Sequence, residues 1–137
     1  MTRAEYEMTI CTRLAQAVSV PFRTEVSLGE WKPERSRCHD NVDRWVSATP
    51  SHSAVRGWAT RNKCYIGAGS ELIPALELVA HSVVCDENGN MFDITPFADE
   101  CVRQSTLFVV HVGNEESFHR WRTERPIIYC PEGRSHQ

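Results

Sequence analysis

The chain has 137 residues, with 15 Lys and Arg against 18 Asp and Glu, a net charge of −3. That length fits one domain around one core, and the apolar fraction of 41% with 24% charged residues is that of an ordinary globular protein. The balanced charge, without a basic cluster, argues against a nucleic-acid partner, and no run approaches the roughly 18 apolar residues of a membrane span.

Thr2 and Glu5 stand at capping-box spacing. Tyr6, Ile10, Leu14 and Val18 then recur every four residues until Val20-Pro21, so residues 3–18 are predicted as an amphipathic helix. Residues 21–35, with two prolines and mixed charge, read as a loop. Ser36 is placed to cap a second helix over 37–47, with Cys38, Val42 and Trp45 on one face, ended by Thr49-Pro50. The period then changes. Residues 54–60 and 63–66 are short strand candidates, Gly67, Gly69 and Ser70 mark a turn, and Pro74 reads as a break. Residues 78–85 and 91–95 are predicted as strands of a hairpin, and 96–101 as a short helix. Residues 106–112 read as a strand, 114–123 as a helix opened by Asn114, and 127–130 as a last strand. Helices followed by an antiparallel sheet imply an α+β domain over 1–130, with N-terminal helices packed on a small sheet and a polar tail at 131–137.

The six cysteines are Cys11, Cys38, Cys64, Cys85, Cys101 and Cys130. The start of the chain is polar and has no apolar run of the kind that precedes export. The expectation is a cytoplasmic protein with reduced thiols, most of them small buried hydrophobes. Four tryptophans are many for this length. Most are expected in the core, with Trp58, beside Gly57, a candidate to line a cleft.

Cys38 falls in the first turn of its predicted helix, where free backbone N–H groups and the helix dipole favour a thiolate. A histidine in contact would complete a thiolate–imidazolium pair, and a carboxylate behind it would fix its tautomer. His81 and Asp93 lie on the two arms of the predicted hairpin. Their faces depend on the turn. A two-residue Asn88-Gly89 turn puts them on opposite faces. A three-residue loop, Glu87-Asn88-Gly89, pairs Asp86 with Asn90 and makes them diagonal neighbours on one face. The sequence permits both, and a catalytic reading requires the second. Adjacent helical residues point about 100° apart, so His39 is expected to face away from whatever Cys38 faces. His111, inside an apolar run, reads as core.

A cysteine at a helix start, a strand-borne histidine in Ala80-His81-Ser82-Val83-Val84, then Asn88-Gly89 and Phe92-Asp93-Ile94-Thr95-Pro96, resembles the papain-like fold in its transglutaminase-type branch. That branch includes arylamine N-acetyltransferases, bacterial protein glutaminases and glutamine-deamidating effectors. The resemblance covers about residues 36–97. It implies a papain-like α+β domain with Cys38 as nucleophile, His81 as base and then acid, and Asp93 as orienter. It also implies hydrolysis of an amide, as a peptidase or a glutamine deamidase, on a protein or peptide substrate and without a cofactor. Two other readings compete. One is a non-catalytic binding protein that retains the fold with Cys38 inert. The other is a zinc site drawn from Cys38, His39, His81 and Asp93, which lacks the usual ligand spacing.

Overall fold

Thr2 caps the first helix with a complete capping box: its hydroxyl accepts from the Glu5 N–H, and the Glu5 carboxylate accepts from the Thr2 N–H. This helix, α1 (Arg3–Thr12), is shorter than its periodicity suggests and ends in a 3₁₀ turn, Arg13–Gln16. The computed structural model describes residues 1–97 and 100–130, and the expected tail at 131–137 lies outside them. The remaining elements are α2 (Cys38–Ala48), β1 (Ser53–Ile66), β2 (Leu72–Cys85), β3 (Met91–Phe92), α3 (Glu100–Ser105), β4 (Phe108–Val110), α4 (Glu115–Glu124) and β5 (Ile127–Cys130). The architecture is α+β around an antiparallel sheet.

β1 and β2 are long. They pair without interruption from Ser53↔Cys85 to Ile66↔Leu72. Pro74 does not break β2. Ala80 directs its N–H away from β1, to the Pro126 carbonyl, and the backbone of Pro74, six residues earlier, faces the same way. Among the described residues the ladder with β5 runs from Leu76 to Val79, so the missing donor of Pro74 breaks none of its bonds. The sheet order is β3-β2-β1-β4, with β5 also on β2. β5 covers residues 76–79 of the outer edge of β2, and β3 covers 84–85. Between them the edge has a notch, and the N-terminus of α2 docks there.

One face of the sheet carries the apolar core. Trp58, Leu78, Ala80, Val109 and Ile128 meet Tyr6 and Ile10 of α1 and Phe118 and Trp121 of α4. Val84, Phe92 and Ile94 meet Val42 of α2. Trp58 is fully buried and donates to the Tyr6 hydroxyl, so it lines no cleft. That hydroxyl lies 2.6 Å from His111 Nδ1, and His111 is half-buried rather than sunk in the core.

The opposite face carries His81 and is covered by a strap of chain. Val18 pairs with Phe108 at the β4 edge, and Phe22 pairs with Asp93 at the far edge. Residues 18–22 therefore cross the sheet over β1 and β2. Gly57, directly opposite His81 on β1, makes room here. A Cβ at Gly57 would strike the Val109 carbonyl and come within 2.6 Å of Phe108 Cζ. Gly57→Ala is expected to destabilise the fold by about 2 kcal/mol through displacement of β4. Urea unfolding measures it, and a cost near zero would show that β4 yields freely.

The expectation of reduced thiols needs correction. α1 lies against β5, and Cys11 and Cys130, 119 residues apart, form a disulfide with Cα atoms 5.6 Å apart. Only tertiary packing brings them together, so no spacing in the sequence announces the pair. The bond also removes the reduced-thiol argument for a cytoplasmic origin. Cys38 and Cys85 are free thiols. No helix among the described residues is long and apolar enough to cross a membrane.

Candidate active site

The β2–β3 hairpin takes the odd-numbered loop. Asp86 N–H donates to the Asn90 carbonyl and Gly89 N–H to the Asp86 carbonyl, with Cys85 opposite Met91 and Val84 opposite Phe92. Gly89 has φ +84°, the left-handed position that closes such a loop. Asp86 Oδ1 accepts from the N–H groups of Asn88 and Asn90 and so shapes the turn. This register puts Asp93 on the face of His81. His81 Nε2 lies 2.7 Å from Asp93 Oδ2. The other carboxylate oxygen, Oδ1, accepts from the Thr95 N–H at 3.0 Å, which fixes the carboxylate plane.

Both residues are buried. The strap helps to bury them: Asp93 donates its N–H to the Pro21 carbonyl and accepts at its own carbonyl from Arg23 N–H. Phe97 and Phe108 flank the His81 ring, each with its centroid 6.2 Å away. A small cleft beside His81 and Asp93 is lined by Val20, Ala59, Phe97 and Phe108 among others.

Cys38 is the first residue of α2. Arg37, not Ser36, is the N-cap, and no side chain caps the helix. Ser36 instead turns into the left-handed region, φ 63°, a strained conformation for serine. The first intrahelical bond runs from Asn41 N–H to the Arg37 carbonyl. The amides of Cys38, His39 and Asp40 thus belong to an uncapped first turn. Asn41 is buried and fully used. It donates to the Glu34 carbonyl and Thr95 Oγ1 and accepts from Glu34 N–H. It ties the incoming loop to the end of the hairpin and has no donor left for a substrate oxygen.

The sulfur sits in the notch of β2, 4.0 Å from the Ala80 carbonyl, with the His39 and His81 imidazoles beside it. Since Asp93 holds Nε2 of His81, Nδ1 is the nitrogen left for the thiol. Burial pushes the thiol up, but its interactions with the two imidazoles, by hydrogen bonding and by charge, outweigh it and bring Cys38 down to about 6. Burial pushes the His81 imidazolium down, but the bonds to Asp93 and Cys38 and their charges raise it to about 10. Between those values the pair is thiolate and imidazolium.

His39 does not face away. Its Nδ1 lies 2.6 Å from Ser82 Oγ, between α2 and β2. Behind Ser82 stands Arg56, buried on β1, which donates to Ser82 Oγ, Asp43 and Glu115. No motif in the sequence marks Arg56 or Ser82. The available signal was positional: Arg56 alternates with Ala54 and Trp58, so a charge stands at a core-facing strand position and must have partners there. Among the described residues no three His, Cys, Asp or Glu side chains are grouped to hold a metal ion.

Comparisons with protein-family models, with curated proteins and with solved structures find no match for this chain.

Proposed function

We propose that this protein is a thiol-dependent amide hydrolase, of peptidase or glutamine-deamidase type, on a papain-like domain of the transglutaminase branch. The observation that carries the reading is the buried His81–Asp93 pair, in which Asp93 takes Nε2, with the Cys38 thiol and the His81 ring each favouring the other's charged form.

The chemistry follows from that line. The Cys38 thiolate attacks the carbonyl carbon, and the carbonyl π electrons move to oxygen. The uncapped amides of the first turn of α2, on the element that carries the sulfur, supply backbone donors for that oxyanion. The C–N bond then breaks as the His81 imidazolium gives its proton to the leaving nitrogen, releasing an amine or ammonia and leaving a thioester. Water attacks the thioester, neutral His81 takes its proton, and the acid leaves as Cys38 returns to thiolate. Asp93 keeps the ring in one tautomer and stabilises the imidazolium at both stages.

The experiment is incubation with unfolded proteins and glutamine-containing peptides. New N-termini report a peptidase and released ammonia a deamidase. Hydroxylamine should trap the acyl group as a hydroxamate, and Cys38→Ala should abolish both products. Turnover that survives Cys38→Ala, or no turnover of any amide by a folded protein, would overturn the proposal.

A further inference from the structure

His39 is held as firmly as His81, by different means. Ser82 is fully buried, and its Oγ has two partners, Arg56 Nη1 at 2.9 Å and His39 Nδ1 at 2.6 Å. A guanidinium has donors only, so the Arg56 contact uses a lone pair of Oγ. The single hydroxyl hydrogen is then left for His39 Nδ1. Nδ1 accepts, and the ring proton resides on Nε2. Arg56 is fixed in turn by Asp43 of α2 and Glu115 of α4. The His39 ring packs edge-on against Phe118 with centroids 5.8 Å apart, which limits its rotation.

We propose that His39 is a second working imidazole of this site, a fixed N–H donor that holds the Cys38 thiolate while His81 carries the proton. Its part in turnover rests on the hydrolase reading above; the donor role does not. The partner behind each ring decides the division of labour. A carboxylate behind His81 favours a protonated ring that can give and retake its proton. A hydroxyl that itself donates leaves His39 no acceptor for a second ring proton, so it serves as donor and not as base. Ser82 and Arg56 are positioning residues for this tautomer. The charged groups around the thiol and the two rings are Asp93 from the hairpin and Arg103 of α3 at the His81 cleft, and Arg56 of β1 behind Ser82, itself paired with Asp43 of α2 and Glu115 of α4.

The test needs no substrate. Nitrogen NMR of ¹⁵N-histidine-labelled protein reads the tautomer, and the pH dependence of thiolate ultraviolet absorbance reads Cys38. His39 should carry its proton on Nε2. His39→Ala should raise the thiolate inflection from about 6 by about one unit, a tenfold loss of thiolate on its acid side. His39→Gln, which keeps an N–H donor, should recover most of that, and Ser82→Ala should give a smaller rise in the same direction. An unmoved inflection in His39→Ala and Ser82→Ala, or a proton on Nδ1, overturns the proposal. So does a folded His39→Ala whose inflection moves the whole way to about 8.5 while His81→Ala leaves it near 6, because His39 would then be the charged partner of the thiolate. The two proposals fail separately. A shifted inflection without amide turnover sinks only the hydrolase, and Cys38-dependent turnover with an unshifted inflection sinks only the donor.

Discussion

Replacing His81 with alanine should move the alkylation inflection of Cys38 from about pH 6 toward the ordinary thiol value of about 8.5. The rate at pH 7 is a poor place to look. A thiol of ordinary pKa is only about 3% ionised there, but each thiolate is intrinsically more nucleophilic by about tenfold, because nucleophilicity rises with basicity. The two effects largely cancel, leaving a difference of about threefold. At pH 5.5 the thiolate fractions differ by about 200-fold, and a net loss of about 20-fold remains. Iodoacetamide alkylation from pH 5 to 9, with mass-spectrometric readout at Cys38, measures it. An inflection near 8.5 in the wild-type protein would remove the activated-thiol reading.

Asp93→Ala should destabilise the protein by about 3 kcal/mol at pH 6–7, because it strips a buried imidazolium of its counter-charge. The dependence on pH has a definite sense. The folded-state pKa of His81 is raised to about 10, so its stabilising contribution is full below the unfolded value of about 6.5 and is lost as pH rises through about 10. The cost of Asp93→Ala should therefore shrink toward pH 10. The thiolate runs the other way: a depressed pKa contributes stability that is lost as pH falls through about 6. Urea unfolding in a Cys38→Ala background isolates the histidine. Asp93→Asn, which keeps an acceptor without the charge, should recover part of the loss. A cost that is the same at pH 6 and pH 10 would mean that His81 is not charged in the fold.

The sequence made the parts of the site visible but not all of their contacts. Cys38 at a helix start and the histidine and aspartate of a hairpin are local features, set by short-range pattern. The loop parity was an open alternative, because Asn88-Gly89 suits a two-residue turn and Gly89 equally suits the left-handed end of a three-residue one; Asp86, which accepts from both Asn88 and Asn90, accompanies the longer loop. His39 turns toward β2 rather than away because the 100° rule describes where side chains leave a helix, not where they end at its first turn. There the thiol sits against an open strand edge with a histidine on either side. The strap over His81 and the Cys11–Cys130 bond depend on contacts between distant segments, and neither leaves a periodic trace. Pro74 and Trp58 depart the other way: propensity suggests a break and a cleft, and tertiary context gives a continuous strand and a core.

The Cys11–Cys130 bond closes residues 11–130 into one covalent ring that contains Cys38, His81 and Asp93. A single cut in a ring releases nothing. The tip between β1 and β2, from Gly67 to Glu71, lies at the end of an unbroken two-stranded ladder, remote from Cys38. A nick there would leave two polypeptides, one bearing the sulfur and the other the histidine and aspartate. They would be joined by the ladder and by one bond that a reductant can open. The triad would then belong to a two-chain protein whose assembly depends on the redox state of its surroundings.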